Sequence, residues 1–153
     1  MKKFFSILFV FTMLGMVFTA CGDDKDEPII PETQNLVSVH ENDTDTYYVF
    51  DIDMTKDKST IYMHNIQFEG APFKMTLRVA VPVTLNQAGN AYIMTGTGLK
   101  AEMYIESAGT WVPMTDEKYN LNNLSCTVNP NAKTYAISFD AHGGHFEESG
   151  MLR

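Results

Sequence analysis

The segment Phe73-Lys-Met-Thr-Leu-Arg-Val-Ala-Val-Pro-Val-Thr-Leu85 decides the fold class. Apolar side chains fill every odd position, seven in a row, while Lys74, Thr76, Arg78 and Thr84 stand between them with Ala80 and Pro82. Successive side chains of a strand point to opposite faces, so this period of two predicts a strand with one buried face. Pro82 has no N–H to give to a ladder, so the strand must lie at an edge there, or bend or bulge. A long strand that bends is what a small barrel or sandwich needs to wrap around itself.

The same rhythm runs outward in both directions. Tyr48, Phe50, Ile52 and Met54 alternate with Tyr47, Val49, Asp51 and Asp53, and the polar tip Thr55–Ser59 leads into Ile61–Phe68. Leu99, Ala101, Met103 and Ile105 alternate with Lys100, Glu102, Tyr104 and Glu106; Tyr135, Ile137 and Phe139 alternate with Thr134, Ala136, Ser138 and Asp140. The connectors are turn chemistry: Gln87-Ala88-Gly89-Asn90, Asn129-Pro130-Asn131-Ala132 and His142-Gly143-Gly144. No window sustains a helical period, and connections this short force antiparallel neighbours. The expectation is an all-β domain, an antiparallel meander of about eight to ten strands. A closed or partly open barrel is the first reading, and a β-sandwich the alternative.

The N-terminus reads differently. Met1-Lys2-Lys3 precedes an uncharged, mostly apolar run from Phe4 to Phe18, and the first acid is Asp23. That order is the one of a secretory signal, and the run is shorter than the roughly 20 apolar residues a spanning helix needs. Thr19-Ala20-Cys21 resembles the lipobox of bacterial lipoproteins, in which the signal is cut before a diacylglycerol-bearing cysteine. Residues 1–20 are thus expected to be a signal peptide and Cys21 the lipidated residue, an attachment to the bilayer. Each buried acyl CH₂ contributes about 0.8 kcal/mol, so two or three chains hold a protein where one does not. Residues 21–35, rich in acid and carrying two prolines, read as a solvated tether, and residues 36–153 as the single domain. The acidic run also resembles the surface-export signal of Bacteroidetes lipoproteins; a plain spacer is the other reading. Either way the address is the bacterial cell envelope, as an outer-membrane lipoprotein.

The only other cysteine is Cys126, with Leu124 and Val128 two positions either side, which is the inward face of a strand. With Cys21 acylated it has no partner for an internal disulfide, and it reads as a small buried hydrophobe. After removal of residues 1–20, nine Lys and Arg face nineteen Asp and Glu. That balance disfavours nucleic acid and anionic lipid surfaces as partners.

The order STIYMHNIQFEGAPFKMTLRVAVPV (59–83), followed after a glycine-bearing middle section by TYAISFDAHGGHFEESG (134–150), resembles the calycin-like lipoproteins of the Bacteroidetes. The likeness covers most of residues 45–152 and is one of strand rhythm and hairpin composition. The lipocalin Gly-x-Trp near the first strand is absent, because the only tryptophan is Trp111. What the resemblance implies is a lipocalin-like barrel with room for an interior ligand, and no particular ligand.

The chemistry-bearing residues are sparse. Tyr48, Phe50, Phe73, Phe139 and Phe146 are the candidate lining of an apolar cavity, alongside the methionines Met54, Met63, Met75, Met94, Met103 and Met114. Asp140, His142 and His145 have a weak metal-like spacing, but a Gly-Gly between two strands is also a hairpin turn requiring positive φ. Asp51 and Asp53 share a face, as paired catalytic carboxylates would, yet it is the polar face of their strand. No Gly-x-Ser-x-Gly frames a nucleophile and no glycine-rich loop precedes a helix. The expected function is therefore a membrane-anchored, non-enzymatic binding protein without a cofactor, holding a small apolar molecule in its barrel. The alternative is a cell-surface interaction or adhesion module for a glycan or a protein, with Trp111, beside Val112, Pro113 and Met114, as its surface anchor. An inhibitor of a secreted enzyme is a third reading, and a hydrolase the last.

Overall fold

The structure is a computed structural model and describes residues 30–153. The signal segment, Cys21 and most of the acidic tether lie outside these residues. Ten strands follow one another: β1 (Thr33–Val37), β2 (Tyr47–Asp53), β3 (Lys58–Ile66), β4 (Met75–Leu85), β5 (Tyr92–Gly96), β6 (Ala101–Ile105), β7 (Thr110–Pro113), β8 (Asn122–Asn129), β9 (Thr134–Ala141) and β10 (Gly144–Met151). All pair antiparallel, in the order β1-β2-β3-β4-β5-β8-β9-β10, with the β6–β7 hairpin branching from β4. The fold is all-β, as the alternation predicts, and the sheet curls into a partly open barrel.

β4 is where the sheet divides. Leu77–Val79 pair with Met103–Ala101 of β6, whereas Val83–Leu85 pair with Met94–Tyr92 of β5. Pro82 stands between these two partners. The N–H of Val83 donates to Asp57 O at 3.2 Å, on the β3 side. Successive N–H groups of a strand point to opposite edges, so the Pro82 nitrogen faces the gap where β6 has left and β5 has not begun. The missing donor falls where no acceptor is needed.

The first and last strands meet at one end only. Ser38 and Leu152 form an isolated bridge, with Val39 N–H donating to Met151 O (2.8 Å) and Arg153 N–H to Val37 O (2.9 Å). The inward faces converge on one core: Phe50, Ile61, Met63, Leu77, Val83, Met94 and Val128 are all fully buried. Cys126 belongs to it, and burial pushes its thiol pKa up, out of the range in which it is a nucleophile. Asp51 and Asp53 face outward. The Asp53 carboxylate accepts from Thr55 N–H (3.1 Å) and pairs with Lys56 (2.6 Å), so it caps the β2–β3 turn.

The domain begins earlier than composition indicates. Ile30 is buried, Tyr92 Oη donates to Pro31 O (2.5 Å), Met54 N–H donates to Glu32 O (2.7 Å), and Thr33–Asn35 are already strand. A boundary after residue 35 is therefore too late. The polar side chains of this stretch mask a segment held by its backbone, which composition does not report.

Gly150 illustrates how closely the last hairpin is fitted. It lies opposite Tyr135, and a Cβ there would stand 3.0 Å from the ring and 3.2 Å from its hydroxyl. Tyr135 is 5% exposed and tethered through that hydroxyl to Glu148, so it has little room to yield. Gly150→Ala is expected to destabilise the fold by about 1–3 kcal/mol in urea titration, whereas Ala at exposed Ser149 leaves the midpoint unchanged.

Candidate functional site

Four of the five residues expected to line a cavity do face inward, but they fill the space with one another. Tyr48 and Phe50 are stacked (centroids 6.2 Å apart), and both pack on Tyr135 at 5.6 and 5.5 Å. Phe139 stacks on Phe146 at 5.0 Å, and Phe68 meets Phe146 edge-on at 5.3 Å. The hydroxyls of Tyr48 and Tyr135 both donate to Glu148, at 3.1 and 3.0 Å. Burial raises both phenol pKa values, and the Glu148 carboxylate adds to the effect. Glu148 shares the inward face of β10 with Phe146 yet is exposed, so its carboxylate keeps solvent access while accepting both phenols.

Phe73 departs from the expectation. It is 56% exposed, because β4 starts two residues later, at Met75, and the loop carrying Gly70 and Pro72 turns the phenylalanine outward. Period-two counting carried the strand face into a segment that is not strand.

Asp140, His142 and His145 do not converge. His142 and Gly143 have φ of 52° and 78°, the left-handed pair of a two-residue hairpin turn. The His142 ring packs against Tyr119 (5.2 Å) and Phe68 (5.8 Å), whereas His145 lies outside with Nδ1 2.6 Å from Asp140 Oδ1. The Asn123 amide donates to the other Asp140 oxygen at 2.7 Å, and these two hydrogen bonds, Asn123 first, hold the carboxyl below the usual range. Among the described residues no three His, Cys, Asp or Glu side chains are placed to hold a metal ion.

The outer face of β3, β4, β6 and β7 carries the most developed constellation. Tyr62, Arg78 and Glu102 lie in one row across three strands, and Tyr104 lies opposite Trp111 on the β6–β7 hairpin. Strands are about 4.8 Å apart, so the backbones of β3 and β7 stand roughly 14 Å from each other. The Tyr62 and Trp111 rings are nevertheless 5.7 Å apart. Both side chains must lean together over the intervening strands. The Arg78 guanidinium sits 4.6 Å from the indole centroid, and Tyr104 contacts the indole at 5.1 Å. Arg78 Nε donates to Glu102 Oε2 at 2.5 Å, which fixes the guanidinium and raises its pKa further. Trp111 is half-buried, and Val112 beside it is exposed.

Tyr104 also forms a wall of the adjoining cleft, about 530 Å³, bounded by Phe73, Lys74, Thr76, Ile105 and Glu106 among others. The anchor expected at Trp111 and the misplaced Phe73 thus flank one continuous surface. Tyr62, Arg78, Glu102 and Tyr104 are not marked by any motif. Their only signal in the sequence is occupancy of outward positions in alternating strands, which every polar face shares.

A second outer-face stack runs beside β1. Tyr47 lies stacked between His40 (4.0 Å) and His64 (4.3 Å), its ring nearly parallel to both, and an Arg153 nitrogen approaches the His40 ring at 3.1 Å. Burial, and then the proximity of His40, lower the His64 pKa.

Compared with protein-family models, curated proteins and solved structures, the chain matches none.

Two outcomes test it. Arg78→Met keeps an apolar stem but removes the charge; cation–π pairs at partly exposed sites contribute about 0.5–1 kcal/mol, so the stability loss should stay below about 1 kcal/mol. The emission of Trp111, the only tryptophan, should shift to the red as the indole loosens. For His64, the folded state holds the ring neutral where the unfolded chain, at its ordinary pKa of 6.5, takes up a proton. Stability should then be present above that pH and fall as the pH drops through it, and His64→Gln should flatten this slope in denaturation curves at pH 5 and 7.

Proposed function

We propose that this chain is a lipid-anchored, non-enzymatic binding module of the bacterial cell envelope that engages its partner on the outer face of β3, β4, β6 and β7. One observation carries the reading: half-exposed Trp111 is locked among Tyr62, Arg78 and Tyr104 on an outward face, and Tyr104 in turn lines a cleft with an exposed Phe73. Aromatic and arginine side chains held in fixed positions at a surface supply contact area without losing much side-chain entropy on binding. The mutual packing of Tyr48, Phe50 and Tyr135 favours this face over the interior as the place where a ligand sits. The address rests on the lipobox-like Thr19-Ala20-Cys21, and the kinship to calycin-like lipoproteins on strand rhythm together with the curled antiparallel sheet.

Photo-crosslinking in the producing cells tests the location of the site. A benzophenone amino acid at position 73 or 112 should give light-dependent adducts, and one at exposed Thr127, on the outer face of β8, should give none. Absence of adducts at 73 and 112 would remove the proposal. Cys21→Ser should move the protein from the membrane to the soluble fraction; unchanged membrane attachment would remove the anchor.

A further inference from the structure

We infer that the cleft between Phe73 and Tyr104 takes a short stretch of a neutral glycan, with Trp111 at its border. The inference rests on the outer-face reading above and adds the chemical class of the ligand.

A pyranose ring has two kinds of surface, a face of C–H groups and a rim of hydroxyls. A site for it needs aromatic planes for the first and short polar side chains for the second. The cleft offers both. Phe73 and Tyr104 form its aromatic walls, and Asn65, Thr76, Glu106 and Ser107 stand among them. Its volume of about 530 Å³ falls in the range of small-ligand sites.

The charges are balanced. Arg78 is paired with Glu102 at the border, and the Lys74 ammonium donates to Thr44 O at 2.6 Å, with Glu106 on the same cleft. No cationic excess is left to attract phosphate or sulfate, and the chain as a whole carries a formal charge of −8. A purely apolar ligand would cover Met75, Met103 and Ile105, but it would also strip water from Asn65, Lys74, Thr76, Glu106 and Ser107 and return no hydrogen bonds. A neutral ligand with many hydroxyls matches both constraints.

One aromatic wall, Tyr104, is already positioned. Tyr104 is held by its contact with Trp111, and the indole by Arg78, whose guanidinium Glu102 fixes. Phe73 follows Pro72, whose ring restricts the backbone just before it. A weakly binding sugar loses less affinity to ordering when the site is built beforehand.

The test uses the lipidated protein, purified from its host in a detergent without a sugar headgroup. The probes are neutral hexasaccharides: cellohexaose, maltohexaose, mannohexaose, xylohexaose and hexa-N-acetylchitohexaose. At least one should change Trp111 emission saturably, with a Kd below about 1 mM. That Kd should stay constant between low and high NaCl, because a neutral ligand releases no counterions. Tyr104→Ala should weaken binding at least tenfold. Phe73→Ala should do the same, and because Phe73 is exposed this variant keeps its melting temperature. Thr127→Ala should change nothing.

No response to any of the five sugars, with protein adducts persisting from positions 73 and 112, overturns the glycan and leaves the outer-face reading in place. No response and no adducts overturn both. Sugar binding that survives Phe73→Ala and Tyr104→Ala unchanged, or that collapses with added salt, also overturns the inference.

Discussion

One strand holds the architecture together by changing partners midway. β4 lies against β3 from Met75 to Pro82, but its other edge passes from β6 to β5 on either side of Pro82. A strand has only two edges, so this exchange lets ten strands share one sheet without a simple meander. It also frees the β6–β7 hairpin from the main path. The hairpin is then held to the body by its pairing with β4 and by the outer-face contacts of Trp111 with Arg78 and Tyr62. The surface that carries the proposed function is therefore a consequence of the fork.

The interior is occupied by its own residues. Tyr48, Phe50 and Tyr135 form one aromatic group, and Phe68, Phe139 and Phe146 another, while Glu148 receives the two tyrosine hydroxyls at the open side. Buried aromatic pairs contribute about 0.5–1.5 kcal/mol beyond their area, and a satisfied hydroxyl removes the penalty of burying it. Residues that a sequence reader would assign to a ligand pocket are here explained by stability. The outer-face residues are not needed for the core in the same way, and this asymmetry draws attention to them.

The inward positions were legible because one short-range rule governs them: alternate residues share a face. That rule places Met75, Leu77, Val79, Val81 and Val83 correctly and identifies Cys126 as core. It failed at Phe73, where the backbone leaves the strand, and at Thr33–Asn35, where polar side chains sit on a backbone already paired with β2. It also left the histidine turn undecided. The turn conformation of His142 and Gly143 follows from local chemistry, whereas the separation of the His142 and His145 rings depends on Phe68 and Tyr119 from distant parts of the chain.

By itself, then, the sequence determined the all-β class, the buried face of most strands, the turns and the expectation of a lipidated N-terminus. These depend on side-chain period, on residues that favour turns and on a contiguous motif, all local in the chain. The tertiary structure alone decided the pairings between non-consecutive strands, β4 with β6 and β5 with β8, that the aromatic interior packs on itself, and that Tyr62, Arg78, Tyr104 and Trp111 meet on one outer surface. Tyr62 and Trp111 are far apart in sequence, and their rings come within 5.7 Å only because β4 and β6, lying between β3 and β7, hold both on one outer face in the right register. Pairing between strands that do not follow one another is a long-range property, and no local pattern encodes it.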